Sequence, residues 1–137
     1  MAESHKQTAV VVGVGAGLGA ALARRFASAY TVALVARGKE KLEEFAAEIR
    51  AAGGRVLAIP ADVSKAGEIE AAFARVREQT GEVDMLLYNA AMRPYGRLME
   101  TKPSTFENTW RVGAFGAFLC SQAVVPGMLA RGSGVIL

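Results

Sequence analysis

Residues 8–26 read TAVVVGVGAGLGAALARRF, and no other stretch restricts the fold of this chain as tightly. A short β-branched run over residues 9–12 leads into four alternating glycines, Gly13, Gly15, Gly17 and Gly19. An alanine-rich run follows, with Leu18, Ala21, Leu22 and Phe26 at helical spacing. Strand, glycine turn and helix thus succeed one another directly. Glycine lets a backbone approach a ligand closely, and the first N–H groups of a helix point at an anion with the helix dipole behind them. Glycines also serve tight turns in chains that bind nothing, so the turn alone decides little. The strand before it and the helix after it favour a phosphate cradle. GAGLGA, residues 15–20, fits G-x-G-x-x-G/A, while Gly13, Gly17 and Gly19 fit G-x-x-x-G-x-G. The spacing leaves both forms open.

A length of 137 residues suits one domain with one core. The net charge of +3 is modest, and Lys and Arg are interspersed with Asp and Glu, which excludes a nucleic-acid stripe. The single cysteine, Cys120, cannot form an internal disulfide and suits a reducing compartment. In an apolar helix it reads as a small core residue. No metal site is expected. His5 lies in a polar N-terminal arm and is expected to be solvated. His5 and Lys6 before a small-residue run imitate a signal peptide, but residues 13–19 contain four glycines and make a poor signal helix. No uninterrupted run of 18 apolar residues appears, so no membrane span is expected, and the chain reads as cytoplasmic and soluble.

Strands and helices alternate along the rest of the chain. Helix is expected over about residues 17–29 and strand over 31–36. A helix then carries Leu42, Phe45, Ala46 and Ile49 on one face, and Gly53-Gly54 stops it. A third strand, 55–59, ends at Pro60, which suits a sheet edge. Ser64 is the expected N-cap of a helix with an Ile69, Ala72, Phe73, Val76 stripe. Strand 83–88 follows, then a loop over 89–101. A long apolar helix runs from about Ser104 to about Val125, where Pro126-Gly127 should kink or end it. A helix apolar on most sides is buried or part of an interface. Residues 135–137 read as a fifth strand. This order predicts an α/β, Rossmann-like, doubly wound parallel sheet of five strands, order 3-2-1-4-5, with helices on both faces. Residues 1–137 then form one dinucleotide-binding domain with no second domain. Ligands on such sheets lie at the carboxyl ends of the strands.

Three further motifs fall at those ends. After the second strand Ala36 stands where an acidic ribose reader would sit, and Arg37 follows, a planar cation able to pair with a 2′-phosphate; Lys39 can assist. Arg37 otherwise reads as an exposed residue at a helix start. Asp62-Val63, after the third strand, can turn a carboxylate toward an adenine amino group, or can simply begin a helix. Asn89, Ala90 and Ala91 close the fourth strand with a side-chain amide that can tie strands together and two small residues that leave room for a ribose. In isolation Asn89 reads equally as a turn residue.

Together these elements resemble the short-chain dehydrogenase/reductase family, whose pattern is TGxxxGxG, Asp-Val, Asn-Asn-Ala-Gly and an asparagine within the long helix. Gly13, Gly17, Gly19, Asp62-Val63 and Asn89-Ala90 match it, and Val112, Gly116 and Phe118 resemble its V-N-x-x-G-x-F region. The resemblance covers residues 8–137. It implies a nicotinamide dinucleotide held by Gly13, Gly15, Gly17, Leu18, Gly19, Arg37, Asp62, Val63, Asn89, Ala90 and Ala91. NADP(H) is expected over NAD(H), because Arg37 stands beside an Ala36 that offers no carboxylate. It also implies a homo-oligomer joined through the long helix.

The departures are Val12 for threonine, Tyr88 for the first asparagine, Ala91 for glycine, and Gly113 for the helix asparagine that holds a water in the family's proton relay. The family's catalytic serine and Tyr-x-x-x-Lys lie beyond the fifth strand, and none of the three tyrosines has a lysine four residues on. The expectation is a C-terminally truncated, cofactor-binding portion of an oxidoreductase with no catalytic residue of its own, inactive alone. A small-molecule substrate is expected only in a complete chain. The alternative is a non-catalytic nucleotide-binding or interaction module; a methyltransferase is disfavoured by Arg37. No nucleic-acid or membrane partner is expected.

Overall fold

The computed structural model describes residues 6–137, so His5 lies outside the described residues. Among these, strands β1 (Thr8–Val12), β2 (Thr31–Ala36), β3 (Val56–Pro60), β4 (Val83–Tyr88) and β5 (Val135–Ile136) pair in parallel in the order β3-β2-β1-β4-β5. Helix α1 (Leu18–Ala27) joins β1 to β2, α2 (Lys39–Ala51) joins β2 to β3, and α3 (Ala66–Thr80) joins β3 to β4. The crossover to β5 holds α4 (Pro103–Trp110) and α5 (Gly116–Arg131). The doubly wound order expected from the sequence is the order found.

The sheet is covered on both faces, which is why β1 and β2 are continuous apolar runs rather than alternating ones. On one face Val10, Val12 and Leu86 pack against Phe73 and Val76 of α3 and Cys120 and Val124 of α5. On the other, Val11, Leu34 and Leu87 meet Ala23 of α1 and Leu42, Ala46 and Ile49 of α2. The stripes expected on α2 and α3 are these buried faces, with Phe45 only partly buried. Pro60 closes β3, an edge strand, where its missing N–H removes no ladder bond on the open side.

Two local expectations are corrected. Ser64 does not cap α3: its N–H and hydroxyl both turn back to Asp62 Oδ1, at 2.9 and 2.7 Å, and Lys65 occupies the cap position. Pro126 does not end the long helix, which continues to Arg131 and stops at Gly132 in the left-handed conformation (φ 68°). Pro126 has no N–H to give the carbonyl of Gln122, four residues earlier, and both residues are exposed, where solvent can replace the lost donor. The helix also begins at Pro103, and residues Arg111–Phe115 form a π-helical turn between α4 and α5. The whole run Pro103–Arg131 is long and apolar enough to cross a membrane by length and composition, with a mean hydropathy of 1.6 over its most apolar window. Gly116, Cys120, Val124 and Met128, four residues apart, nonetheless form a buried face.

Phe73 is fully buried between α3 and the sheet. Phe73→Ala is expected to cost about 3–5 kcal/mol of stability, whereas Phe118→Ala, at a half-exposed position of α5, costs under about 1 kcal/mol. Urea unfolding midpoints of the two variants test the contrast.

Candidate nucleotide site

The carboxyl end of β1 is held from both sides. Gly13 N–H donates to the Val35 carbonyl of β2 at 2.8 Å, and Asn89 Nδ2 donates to the Gly13 carbonyl at 3.0 Å. Asn89 N–H also reaches the Val12 carbonyl at 2.7 Å. Gly13 has φ +88°, and a Cβ there would lie 2.6 Å from Ala90 Cα, so both its conformation and its surroundings require glycine. Asn89 therefore does what its position after β4 suggested: it ties neighbouring strands together.

The remaining glycines of the turn divide by role. A Cβ at Gly19 would come within 2.9 Å of Val14 Cα and would meet the Gly13 carbonyl, so Gly19 lets α1 pack onto the turn. A Cβ at Gly15 or Gly17 would meet nothing within 4 Å. Packing therefore does not require glycine at those two positions. Gly17 is the N-cap of α1, no side chain caps it, and the first turn holds no acidic residue. The first backbone N–H groups of a helix lack partners within it. This helix start presents bare donors and a positive dipole end to open space, which suits an anion. Leu18, the first helical residue, is 63% exposed.

A cavity of about 350 Å³ opens at these strand ends. It brings together Gly13, Gly15, Arg37, Asp62, Val63, Asn89, Ala90 and Ala91; Gly17, Leu18 and Gly19 are not among the residues that line it. Val14, Ala36, Ala61, Met92 and Val112 complete it. Val112 was visible as part of the Val112, Gly116, Phe118 pattern, whereas Met92 carries no signal and arrives through the loop after β4. Gly116 is explained by this geometry: a Cβ there would lie 2.9 Å from the Val63 carbonyl and would meet the Tyr88 hydroxyl.

Arg37 is exposed at the rim and, among the described residues, has no hydrogen bond or ion pair. Lys39 begins α2 and is likewise exposed. Asp62 is tethered instead: Oδ1 accepts from Ser64, and its own N–H donates to Glu68 Oε2 at 2.7 Å. Glu68 in turn pairs with Lys65 at 3.1 Å. The Ser64 hydroxyl holds the Asp62 carboxyl below its ordinary value, with Lys65 and Arg37 adding smaller contributions in the same direction. Asp62 is thus a fixed anion with Oδ2 available. Cys120 is fully buried, and burial pushes its thiol up to about 12, as befits a core residue rather than a nucleophile.

The sequence model described as short chain dehydrogenase matches residues 7–137. The chain is 38% identical to 2-(R)-hydroxypropyl-CoM dehydrogenase of Xanthobacter autotrophicus over 96% of its own length and 54% of that protein. It is 35% identical to 3-oxoacyl-[acyl-carrier-protein] reductase of Staphylococcus epidermidis, over the same shares. Its structure resembles that of an actinorhodin polyketide ketoreductase variant with NADPH, with a TM-score of 0.93 and 34% identity, covering 99% of this chain and 53% of that one. It also resembles a metagenomic short-chain oxidoreductase in complex with NADP, with a TM-score of 0.92 and 35% identity, covering 96% and 60%. The chain belongs to the short-chain dehydrogenase family, a family of oxidoreductases. It spans about half the length of the curated relatives it matches.

Because Asp62 ionises more readily in the folded chain than unfolded, its bond to Ser64 stabilises the fold above the unfolded-state value, and that stability is lost as pH falls through the depressed value. Ser64→Ala is expected to lower stability by about 1 kcal/mol at neutral pH. The deficit should close once Asp62 is protonated in both states. Urea titrations of parent and variant across the carboxylate range measure it.

Proposed function

We propose that residues 1–137 are the dinucleotide-binding domain of an NADP(H)-dependent oxidoreductase that moves hydride between the nicotinamide and an alcohol or carbonyl substrate. The observation that carries this reading is the convergence, in one cavity at the strand ends, of the first half of the glycine turn, an unpaired arginine and a fixed carboxylate, with the uncapped start of α1 two residues beyond Gly15. The nicotinamide, when bound, supplies the hydride chemistry; the protein supplies position and charge. The N–H groups of Gly17, Leu18 and Gly19 take the pyrophosphate, with Gly15 and Gly17 leaving it space. Arg37, assisted by Lys39, takes the 2′-phosphate. Asp62 Oδ2 accepts from the adenine amino group, and Val63, Ala90 and Ala91 leave room for the adenosine. NADPH or NADP in the similar solved structures supports the choice of cofactor. The exposed apolar residues of α4 and α5, Phe106, Trp110, Phe118 and Leu129, support association of copies along that helix.

One observation favours a second reading, a non-catalytic nucleotide-binding or interaction module. Gly113 has no side chain with which to hold the water assigned to the family's helix asparagine.

Gly17→Val fills open space and is expected to leave the fold intact while weakening NADPH binding at least tenfold, through lost charge-assisted contacts of about 1.5–3 kcal/mol. Calorimetric titration beside a thermal melt measures both, and unchanged affinity in a folded variant would reduce the glycine loop to a turn. Arg37→Ala is expected to cost about ten- to hundredfold in NADPH affinity and little in NADH affinity. Equal dissociation constants for the two cofactors in the parent would overturn the preference for NADP(H).

A further inference from the structure

Tyr88 ends β4 and stands half-buried beneath the junction of α4 and α5. Its hydroxyl donates to the Val112 carbonyl, inside the π-helical turn Arg111–Phe115. In that turn the Gly116 N–H reaches back five residues, to the Arg111 carbonyl, instead of four. Such turns are rare, occur mostly as single bulges within α-helices, and need something to hold them. Here the same phenol oxygen occupies the space beside Gly116 that a Cβ would need, and the other neighbour in that space is Val63. Val63 and Val112 both line the cavity at the strand ends. One hydroxyl therefore sits where the end of β4, the loop after β3 and the π-turn meet. Burial raises the phenol's pKa, so it stays a neutral donor across the physiological range.

We infer that Tyr88 is a positioning residue whose hydroxyl holds the π-helical turn, and with it the Val63–Val112 wall of the nucleotide cavity. The inference rests on the cofactor reading of that cavity. Gly116 is its steric counterpart: only a residue without a Cβ lets the helix come close enough for the Val112 carbonyl to meet the phenol. Trp110, the chain's single tryptophan, stacks on Phe115 across the turn with ring centroids 5.5 Å apart, so it reports the turn independently of any ligand.

Tyr88→Phe, Gly116→Ala and the double variant of the full 137-residue chain are compared with the parent. Each is titrated with NADPH by calorimetry, and the Trp110 band is read by near-ultraviolet circular dichroism without ligand. Tyr88→Phe keeps the ring and its packing, so the far-ultraviolet spectrum should be retained. The Trp110 band should change and NADPH affinity should fall about tenfold. Gly116→Ala should weaken binding as well. Because its Cβ would meet the hydroxyl first and then the Val63 carbonyl, removing the hydroxyl relieves one of the two contacts, and the double variant should lose less than the product of the two single losses. An unchanged Trp110 band in Tyr88→Phe overturns the inference, as does NADPH affinity within about twofold of the parent. Independent, multiplying losses overturn the pairing of Tyr88 with Gly116. A parent that binds no NADPH overturns the cofactor reading and the role of Tyr88 with it. That result is distinct from a parent that binds while Tyr88→Phe makes no difference.

Discussion

The hydrogen-bonded end of β1 is the constraint on which the rest of the carboxyl edge depends. Gly13 gives its N–H to β2, receives the Asn89 amide on its carbonyl, and yields the space of its absent side chain to the backbone of Asn89 and Ala90. Three strand ends are thereby fixed relative to one another before any ligand is considered. Helix α1 then starts from this point, and Gly19 lets it lie against the Gly13 carbonyl. A side chain at 13 would be strained and would also collide. The position of the helix start, and so of its bare N–H groups, follows from backbone packing rather than from any group that could touch a phosphate.

Charge at the edge is arranged around that start. No carboxylate stands in the first turn of α1, where it would compete with an anionic ligand for the same donors. The carboxylate nearby, Asp62, has one oxygen engaged by Ser64 and its backbone fixed through Glu68. It is held as an anion in one orientation. Arg37 lies close enough to lower the Asp62 pKa slightly but forms no bond with it, so its guanidinium keeps all of its donors. A tethered acceptor beside an untethered cation is an arrangement that can read two chemically different parts of one ligand.

The parts of the fold legible in the sequence are those governed by local rules. The β-branched runs, the glycine turn, the apolar stripes of α2 and α3 and the edge position implied by Pro60 all express short-range chemistry, and all appear where expected. Ser64 looked like a cap because a serine before an apolar stripe usually is one. Its preference for the Asp62 carboxylate two residues back is a local alternative that such residues often take. Pro126 looked like a kink or a stop because it removes an N–H, yet it and Gln122 are exposed, and burial is not written in the sequence. Most of the cavity residues were legible because they end strands. Met92 was not, since it belongs to no motif, and the π-turn was not, since its extra residue carries no periodic signature.

Two departures from the family pattern differ in physical kind. At Gly113 a Cβ would meet nothing within 4 Å, so packing does not exclude an asparagine there. The consequence of the glycine is chemical: one side-chain amide fewer than the family pattern at the residue after Val112. At Tyr88 the departure is structural, because the longer phenol spans from β4 to the helix and bonds a backbone carbonyl. That reach also requires Gly116, which the chain shares with the family pattern, to admit the oxygen. A change at 88 is thus coupled to the helix through a hydrogen bond from another element, whereas a Cβ at 113, inside the π-turn, would meet no neighbour. Under the role inferred for Tyr88, the cavity wall formed by Val63 and Val112 depends on that hydrogen bond.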